Sequence, residues 1–410
     1  PFREPVSPLP EETPENTGVS SAYIESFLRE LEGDEDINMH SVMILKDGKI
    51  ICRAAFGGRI INVPKYTFSA CKTVVSLAFD ALTQEGWLEG ALGAGIKGEP
   101  GKFIYNSINT YLLTAIICRK TGKTLCEVLN EYIFSDLGIV DYFWEKSPDG
   151  IEKGGWGLYI KPDDIAKLGQ LVMQSGQWNG KQIISKEYLA IASSTQSIAP
   201  ESYGSFDYGF QMWVGREKNT FLFNGMLGQN VLGFRDSGII LVTNGGDEYN
   251  FQQCRYFDIA DKYFGGKFLD KIREDKQAHE HLENYIEKIS DFSKKAQTPP
   301  RERLAFFAGK TFEADDERAA SVGLLPNGLQ LLENNFTKGF KAFSVSGRYD
   351  MLEITYEENG CSNRFPVGIG RPAVVTLTFA GQSYLAAVQG KVTENEDENP
   401  VMKVKIDFLE

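Results

Sequence analysis

The chain is poor in histidine. It has 410 residues but only three histidines. His279 and His281 lie in a strongly charged stretch, and His40 falls in a predicted strand. A catalytic serine–histidine–aspartate arrangement needs a well-placed imidazole, so this pattern argues against one.

Paired cysteines are also missing. The six cysteines are irregularly spaced and form no C-x-x-C pair, which indicates neither a disulfide framework nor a zinc site. No cluster of His, Cys or carboxylate residues has the spacing of metal ligands, so we predict no metal and no cofactor. Unpaired cysteines are typical of a reducing compartment, and we expect a cytoplasmic protein.

Basic residues are the minority, and long apolar runs are absent. Lys and Arg number 43 against 56 Asp and Glu, a net charge of -13, which repels nucleic-acid phosphates and anionic lipids. No apolar run approaches the roughly 20 residues that cross a bilayer. We therefore predict no nucleic-acid partner and no membrane insertion. The acidic, proline-rich start, Pro1 to Gly18, does not resemble a signal peptide, although removal of such a leader would imply export.

What is present indicates a folded protein of two or three domains, since 42% of residues are apolar and 24% charged. Apolar spacing predicts helices at Val19–Leu31, Thr73–Gln84, Tyr111–Arg119, Leu125–Leu137, Pro162–Ser175 and Ser185–Ser193. Strands are predicted at His40–Leu45, Lys49–Phe56, Gly209–Gly215, Thr220–Phe223, Asn230–Phe234 and Gly238–Thr243. Helices bracketed by antiparallel strands indicate an α+β domain over residues 1–264.

Two further regions follow this domain. Residues 265–298 are rich in Lys, Glu and Asp with apolar residues at helical spacing, which predicts a charged helical linker. Residues 299–410 contain short, partly alternating segments separated by Gly, Asn or Asp. Examples are Gly328–Leu332, Gly339–Val345, Met351–Tyr356, Ala373–Phe379, Ser383–Val392 and Val401–Phe408. This pattern predicts a C-terminal all-β, barrel-like domain.

The segment Ser69-Ala70-Cys71-Lys72 lies where an extended stretch meets a predicted helix. One helical turn separates Ser69 from Lys72, so their side chains can meet. A lysine whose pKa is lowered by burial can be the base for a serine nucleophile, and the helix N-terminus favours the resulting negative charge. The alternative, a helix-capping Ser69 with a solvated Lys72, is the better supported on spacing alone.

Two other clusters concentrate polar groups and glycines. The loop Gly98–Asn109 contains Tyr105, a candidate proton carrier, although a tyrosine packed on the core would fit as well. Residues 223–229, Phe-Asn-Gly-Met-Leu-Gly-Gln, place two glycines at the start of a strand. A substrate can approach main-chain N–H groups there, and an ordinary hairpin is the alternative.

Taken together, these clusters resemble the serine β-lactamase and penicillin-binding protein superfamily, particularly its class C-like branch of esterases, D-amino-acid peptidases and amide hydrolases. The resemblance covers roughly residues 19–264, including Gly154-Gly155-Trp156-Gly157-Leu158 and Tyr208-Gly209-Phe210-Gln211-Met212-Trp213. It implies a β-lactamase/DD-peptidase-like domain with an antiparallel sheet flanked by helices. Residues 299–410 more weakly resemble the lipocalin-like domain often appended to this branch.

The resemblance also implies roles for individual residues. Ser69 would be the acylated nucleophile, Lys72 the base, and Tyr105 the proton shuttle and leaving-group acid. The implied substrate-binding and oxyanion positions are Ser107, Asn224, Gly225, Leu227, Gly228 and Gln229.

Three departures from the family pattern matter. Ser107 stands where a substrate-binding amide is usual, and Phe223-Asn224 replace a Lys or His beside Gly225. A β-lactam carboxylate would lose a charged partner, which demotes true β-lactamase activity. The connection Leu88–Gly98 is short, which implies an open cleft or a missing segment.

The sequence therefore predicts a serine hydrolase that forms an acyl-enzyme on a small ester, amide or short peptide. Its alternative is a catalytically impaired, β-lactamase-like ligand-binding or sensor protein, which the Asn224 departure motivates. A purely structural role is least supported, because a scaffold does not need Ser, Lys and Tyr together. The sequence does not indicate an oligomeric state.

Overall fold

The structure is a computed structural model that describes residues 7–85, 103–246, 255–266, 275–291, 304–313, 339–348, 351–358, 360–379, 382–396 and 398–408. The chain divides into two compact units, Pro1–Ser290 and Asp291–Glu410. Each unit is described by itself below.

The first unit alternates helices and short strands. Its helices are α1 (Ser21–Gly33), α2 (Cys71–Gln84), α3 (Ser107–Thr121), α4 (Leu125–Leu129), α5 (Ser135–Leu137), α6 (Pro162–Met173), α7 (Lys186–Ala192), α8 (Arg255–Phe264) and α9 (Lys276–Ser290). Its strands are β1 (Met39–Lys46), β2 (Lys49–Ala55), β3 (Lys65–Tyr66), β4 (Tyr142–Trp144), β5 (Leu158–Ile160), β6 (Gln177–Trp178), β7 (Lys181–Gln182), β8 (Asp207–Tyr208), β9 (Trp213–Val214), β10 (Thr220–Gly225), β11 (Gln229–Phe234) and β12 (Ile239–Gly245).

The main sheet is antiparallel, with strand order β2-β1-β12-β11-β10-β9-β8. The β1–β2 hairpin turns at Asp47 and Gly48, which have φ angles of 48° and 80°. Asp-Gly is favoured in such turns because both residues tolerate positive φ. The predicted hairpin is confirmed.

Both faces of this sheet are covered by helices. On β10, Phe221 and Phe223 pack into the core that contains α2 and α6, whereas Leu222 packs into the core that contains α1, α8 and α9. Neighbouring residues of a strand point to opposite faces, so a strand buried on both faces is apolar throughout. The predicted α+β fold, an antiparallel sheet flanked by helices, is confirmed.

The single strand predicted at Gly209–Gly215 is wrong. The chain reverses between β8 and β9, where the N–H of Gly209 donates to the Met212 carbonyl at 2.8 Å and Gln211 has a φ of 57°. An apolar-rich run with no Asn-Gly or Asp-Gly pair gives no turn signal, so periodicity alone joined two short strands into one.

The region predicted as a linker contains α9, which packs into the first unit. Leu282, Tyr285 and Ile289 are buried in the core formed with α1. The Arg29 guanidinium lies 3.9 Å from the centre of the Tyr285 ring, and the Tyr285 hydroxyl donates to Glu32 at 2.6 Å. α9 is therefore a structural element of the first unit, while the exact domain boundaries stay predictions.

The second unit is all-β among its described residues, apart from a short helical turn at residues 304–305. Its strands are β13 (Lys310–Glu313), β14 (Ala342–Arg348), β15 (Met351–Glu358), β16 (Cys361–Ile369), β17 (Ala373–Phe379), β18 (Gln382–Glu394) and β19 (Pro400–Phe408). They form a curled half-barrel sheet in the order β13-β14-β15-β16-β18-β17, with β19 paired to β18. β16 is not among the strands predicted from the sequence, and the strand predicted at Gly328–Leu332 lies outside the described residues.

Within the described ranges, we find no helix that combines the length and apolar character needed to cross a membrane.

The packing of α9 can be tested by substitution. We expect Leu282→Ala to lower the free energy of unfolding by about 2 to 5 kcal/mol, because it leaves a cavity in the core. All five tryptophans lie within residues 1–290, so the urea transition followed by tryptophan fluorescence reports the first unit. The control is Glu287→Ala at an exposed position of the same helix. Equal stability of the two variants would contradict this packing.

Candidate active site

Ser69 lies in a short 3-10 helix, Phe68–Ala70, directly before α2. The preceding Phe68 has a φ of 47°, a left-handed conformation that is disfavoured for a residue with a side chain. Thr67 anchors this turn, because its N–H and its hydroxyl both donate to the Leu158 carbonyl at 2.9 Å. Strained backbone held by its surroundings is common at functional sites.

Lys72 is buried beside this serine. Its side chain is 2% exposed, and its Nζ lies 2.7 Å from the Ser69 Oγ and 2.5 Å from the Gly155 carbonyl oxygen. The N-cap residue of α2 is Ala70 rather than Ser69. The structure therefore has the buried pair rather than a solvated lysine.

Burial changes the protonation of this lysine. It lowers the pKa of Lys72 from 10.5 to about 8, because the charged amine is removed from water. Near neutral pH a sizeable fraction of the amine is then uncharged. An uncharged amine can accept the proton of a serine hydroxyl.

Tyr105 completes the group that the sequence predicted. The Lys72 Nζ lies 5.1 Å from the centre of the Tyr105 ring, and the phenol hydroxyl is buried. Burial raises the pKa of Tyr105, and a hydrogen-bonding interaction with Ser69 opposes that rise only in part. The phenol therefore stays protonated across the physiological range and can donate a proton.

The loop at Gly154 and Gly155 holds the lysine from the other side. A Cβ on Gly155 would lie 2.4 Å from the carbonyl oxygen of Ser107, and a Cβ on Gly154 would lie 2.0 Å from the Thr114 Oγ1. Glycine is required at both positions for this close approach. No role for Gly155 was predicted from the sequence, although two adjacent glycines can indicate close backbone packing.

The third predicted cluster is a tight hairpin that packs against the serine turn. Gly225 and Gln229 are the last paired residues of β10 and β11, and Leu227 between them has a φ of 62°. A Cβ on Gly225 would lie 2.1 Å from the carbonyl oxygen of Thr67. The strand end thus lies beside Ser69, where main-chain N–H groups of the hairpin are candidates for an oxyanion site.

The side chains of Asn224 and Gln229 form hydrogen bonds with other residues of the sheet. Asn224 Nδ2 donates to Asn230 at 2.7 Å, and Asn230 donates to the Thr243 hydroxyl at 3.2 Å. Gln229 Nε2 donates to the Gly245 carbonyl at 2.8 Å. Asn224 alternates with Phe223, so its side chain lies on the face of the sheet opposite α2.

The remaining predictions concern substrate binding, one loop and metal ions. The substrate-binding roles of Ser107, Asn224, Gly225, Leu227, Gly228 and Gln229 stay predictions. The short connection Leu88–Gly98 lies outside the described residues. In the described part of the chain, no group of three His, Cys, Asp or Glu side chains is placed to hold a metal ion.

The approach of Gly225 to Thr67 is testable by stability. We expect Gly225→Ala to lower the free energy of unfolding by about 1 to 3 kcal/mol, since the new methyl group overlaps a backbone oxygen. Gly33→Ala is the control, because nothing lies within 4 Å of its Cβ position. A Gly225→Ala protein as stable as the wild type in urea would contradict the close approach.

Two curated proteins are similar to parts of this chain. No protein-family model matches the chain. It is 27% identical over 143 residues to a 6-aminohexanoate-dimer hydrolase of Paenarthrobacter ureafaciens, which covers 33% of this chain and 36% of that protein. An uncharacterised protein of Alkalihalophilus pseudofirmus is 29% identical over 112 residues, 23% of this chain and 33% of that protein. The chain thus spans about a third of the length of these curated relatives.

Solved structures give a broader match. A candidate 6-aminohexanoate-dimer hydrolase of Bacillus anthracis matches with a TM-score of 0.50 at 15% identity, covering 69% of this chain and 90% of that chain. An octameric penicillin-binding protein homologue of Pyrococcus abyssi covers 94% of this chain and 97% of its own, at 14% identity and a TM-score of 0.45. With its antiparallel sheet between two helical layers, the first unit has a β-lactamase and penicillin-binding-protein-like fold.

Proposed function

We propose that this protein is a serine hydrolase that forms an acyl-enzyme on Ser69 and acts on a small ester, amide or short peptide. The observation that carries the proposal is the contact of 2.7 Å between the buried Lys72 Nζ and the Ser69 Oγ. A nucleophile and a base within hydrogen-bonding reach form the minimal arrangement for covalent catalysis.

The geometry supports a two-step reaction. Neutral Lys72 takes the Ser69 proton while Oγ bonds to the substrate carbonyl carbon, and the Gly155 carbonyl stabilises the ammonium that forms. The carbonyl oxygen becomes an oxyanion, for which main-chain N–H groups of the hairpin at Gly225 are candidate donors. Tyr105 donates its proton to the leaving group as the acyl–leaving-group bond breaks, and the Lys72 ammonium reprotonates the phenolate. Water then attacks the acyl-enzyme while neutral Lys72 takes its proton, and the amine returns this proton to the Ser69 oxygen as the acid leaves.

The comparisons support the hydrolase class without fixing the substrate. The relative from Paenarthrobacter ureafaciens is named for hydrolysis of the 6-aminohexanoate dimer. Amide or ester hydrolysis is the corresponding proposal for this chain, of the esterase or D-amino-acid peptidase type. The absence of nucleic-acid and membrane partners and the cytoplasmic location stay predictions.

A mass measurement tests the nucleophile. After incubation with a fluorophosphonate, we expect one covalent adduct per chain, located on Ser69 by peptide mapping, because the reagent phosphonylates activated serines. Ser69→Ala should remove the adduct, whereas Ser26→Ala, at an exposed position of α1, should not. An unlabelled wild-type protein that still binds activated esters without consuming them would favour the ligand-binding alternative.

The pH dependence tests the base. Because the pKa of Lys72 is lowered to about 8 and the neutral amine is the active form, kcat/KM should rise about tenfold per pH unit below this value and level off above it. We expect Lys72→Arg to lose nearly all activity, since a guanidinium stays protonated. Lys181→Ala, at an exposed position, should keep the wild-type profile. A rate that falls as the pH rises from 6 to 8 would rule out this base.

A further inference from the structure

Gln211 lies at the reversal of the chain between β8 and β9, with a φ of 57°. This left-handed conformation is disfavoured for residues that have a Cβ. Two hydroxyls of α2 hold the turn in place: Ser76 donates to the Phe210 carbonyl at 2.6 Å, and Thr73 donates to the Gln211 carbonyl at 2.8 Å. Backbone strain that the surroundings maintain in this way marks a candidate functional residue.

The side chain of Gln211 is also fixed, between the two helices of the active site. Its Oε1 accepts a hydrogen bond from the Thr110 hydroxyl at 2.6 Å. Thr110 lies one helical turn after Ser107 on α3, and Thr73 directly follows Lys72 on α2. Gln211 is therefore held by its carboxamide at the first turn of α3 and by its main-chain carbonyl at the first turn of α2.

The residues on either side of the Gln211 turn also pack around Tyr105. Tyr208 and Trp213, which flank the turn, lie with ring centroids 6.0 Å and 5.5 Å from the Tyr105 ring. Phe210, next to Gln211, is 43% exposed. The turn thus extends from the aromatic packing of Tyr105 to the solvent.

Both oxygens of Gln211 accept hydrogen bonds. Among the described residues, no acceptor binds its amide nitrogen Nε2, and this nitrogen is not one of the fully buried unpaired atoms. An oriented carboxamide with two uncommitted N–H groups recognises a carbonyl or another hydrogen-bond acceptor.

We propose that Gln211 is a specificity-determining residue whose Nε2 donates a hydrogen bond to a carbonyl in the acyl part of the substrate. The preferred substrates then carry an amide or ester carbonyl on the acyl side of the scissile bond, as peptide-like acyl groups do, rather than a plain alkyl chain. This inference rests on the proposed hydrolase function and deepens it. A site that hydrogen-bonds a substrate group discriminates against the analogue that lacks the group.

A matched substrate pair tests the inference. The p-nitrophenyl esters of N-acetylglycine and pentanoic acid have acyl chains of equal length, and only the first carries an amide carbonyl. In Gln211→Glu, an acceptor for Thr110 is kept but the donor is lost. We expect the kcat/KM for the N-acetylglycine ester to fall about tenfold, through KM more than kcat, and that for the pentanoate to change less than about twofold.

Two further variants serve as controls for the Gln211→Glu result. Glycine tolerates positive φ, so Gln211→Gly should keep the fold. Because the carboxamide is removed, this variant should also lose the preference for the N-acetylglycine ester over the pentanoate ester. Gln196→Glu makes the same chemical change at an exposed glutamine, and it should keep the wild-type ratio of the two kcat/KM values.

The outcomes separate this inference from the proposed function. A wild-type protein that is not labelled at Ser69 and hydrolyses neither ester overturns the proposed function. If the wild type is active and Gln211→Glu or Gln211→Gly lowers kcat/KM equally for both esters, Gln211 has only a structural role and the inference is wrong. An unchanged ratio in both variants overturns it as well.

Discussion

The site depends on the burial of one amine. Lys72 has lost nearly all contact with water and retains two close acceptors, the Ser69 hydroxyl and the Gly155 carbonyl. Removing an ammonium group from water disfavours its charged form, so the pKa of Lys72 falls to about 8. In water the same lysine would remain protonated and could not accept a proton from serine. In a chain with three histidines, this buried amine is the base that we propose in place of an imidazole.

Two close backbone contacts maintain this burial. On one side, Gly155 packs against Ser107 so closely that a side chain would overlap the Ser107 carbonyl. On the other side, Gly225 does the same against Thr67, two residues before the serine. Each contact draws an element from a distant part of the chain onto the first turn of α2. The lack of a side chain at these two glycines thus allows the close packing that excludes water from the lysine.

The strand beside the serine is supported from its far face. The side chains of Asn224, Asn230 and Thr243 form a hydrogen-bonded row across three strands, on the face that α1, α8 and α9 cover. The substrate-binding role of Asn224 stays a prediction, and strand alternation places its side chain on the face opposite α2. This alternation was present in the sequence, since Phe223 and Gly225 occupy the positions that face the helix.

The local structure follows from interactions between residues close together in the chain. Helical spacing brings Ser69 and Lys72 onto one face because the geometry of a helix does not depend on its surroundings, and Asp47-Gly48 formed its hairpin for the same local reason. The sequence did not show the chain reversal at Gln211 or the role of Gly155. Tertiary packing buries Lys72 and brings the Tyr105 ring near its amine. It also brings the Gly155 carbonyl, 83 residues away in the chain, into hydrogen-bonding contact with that amine. Burial and protonation depend on which other segments exclude water from a side chain, and no pattern within a single helix contains that information.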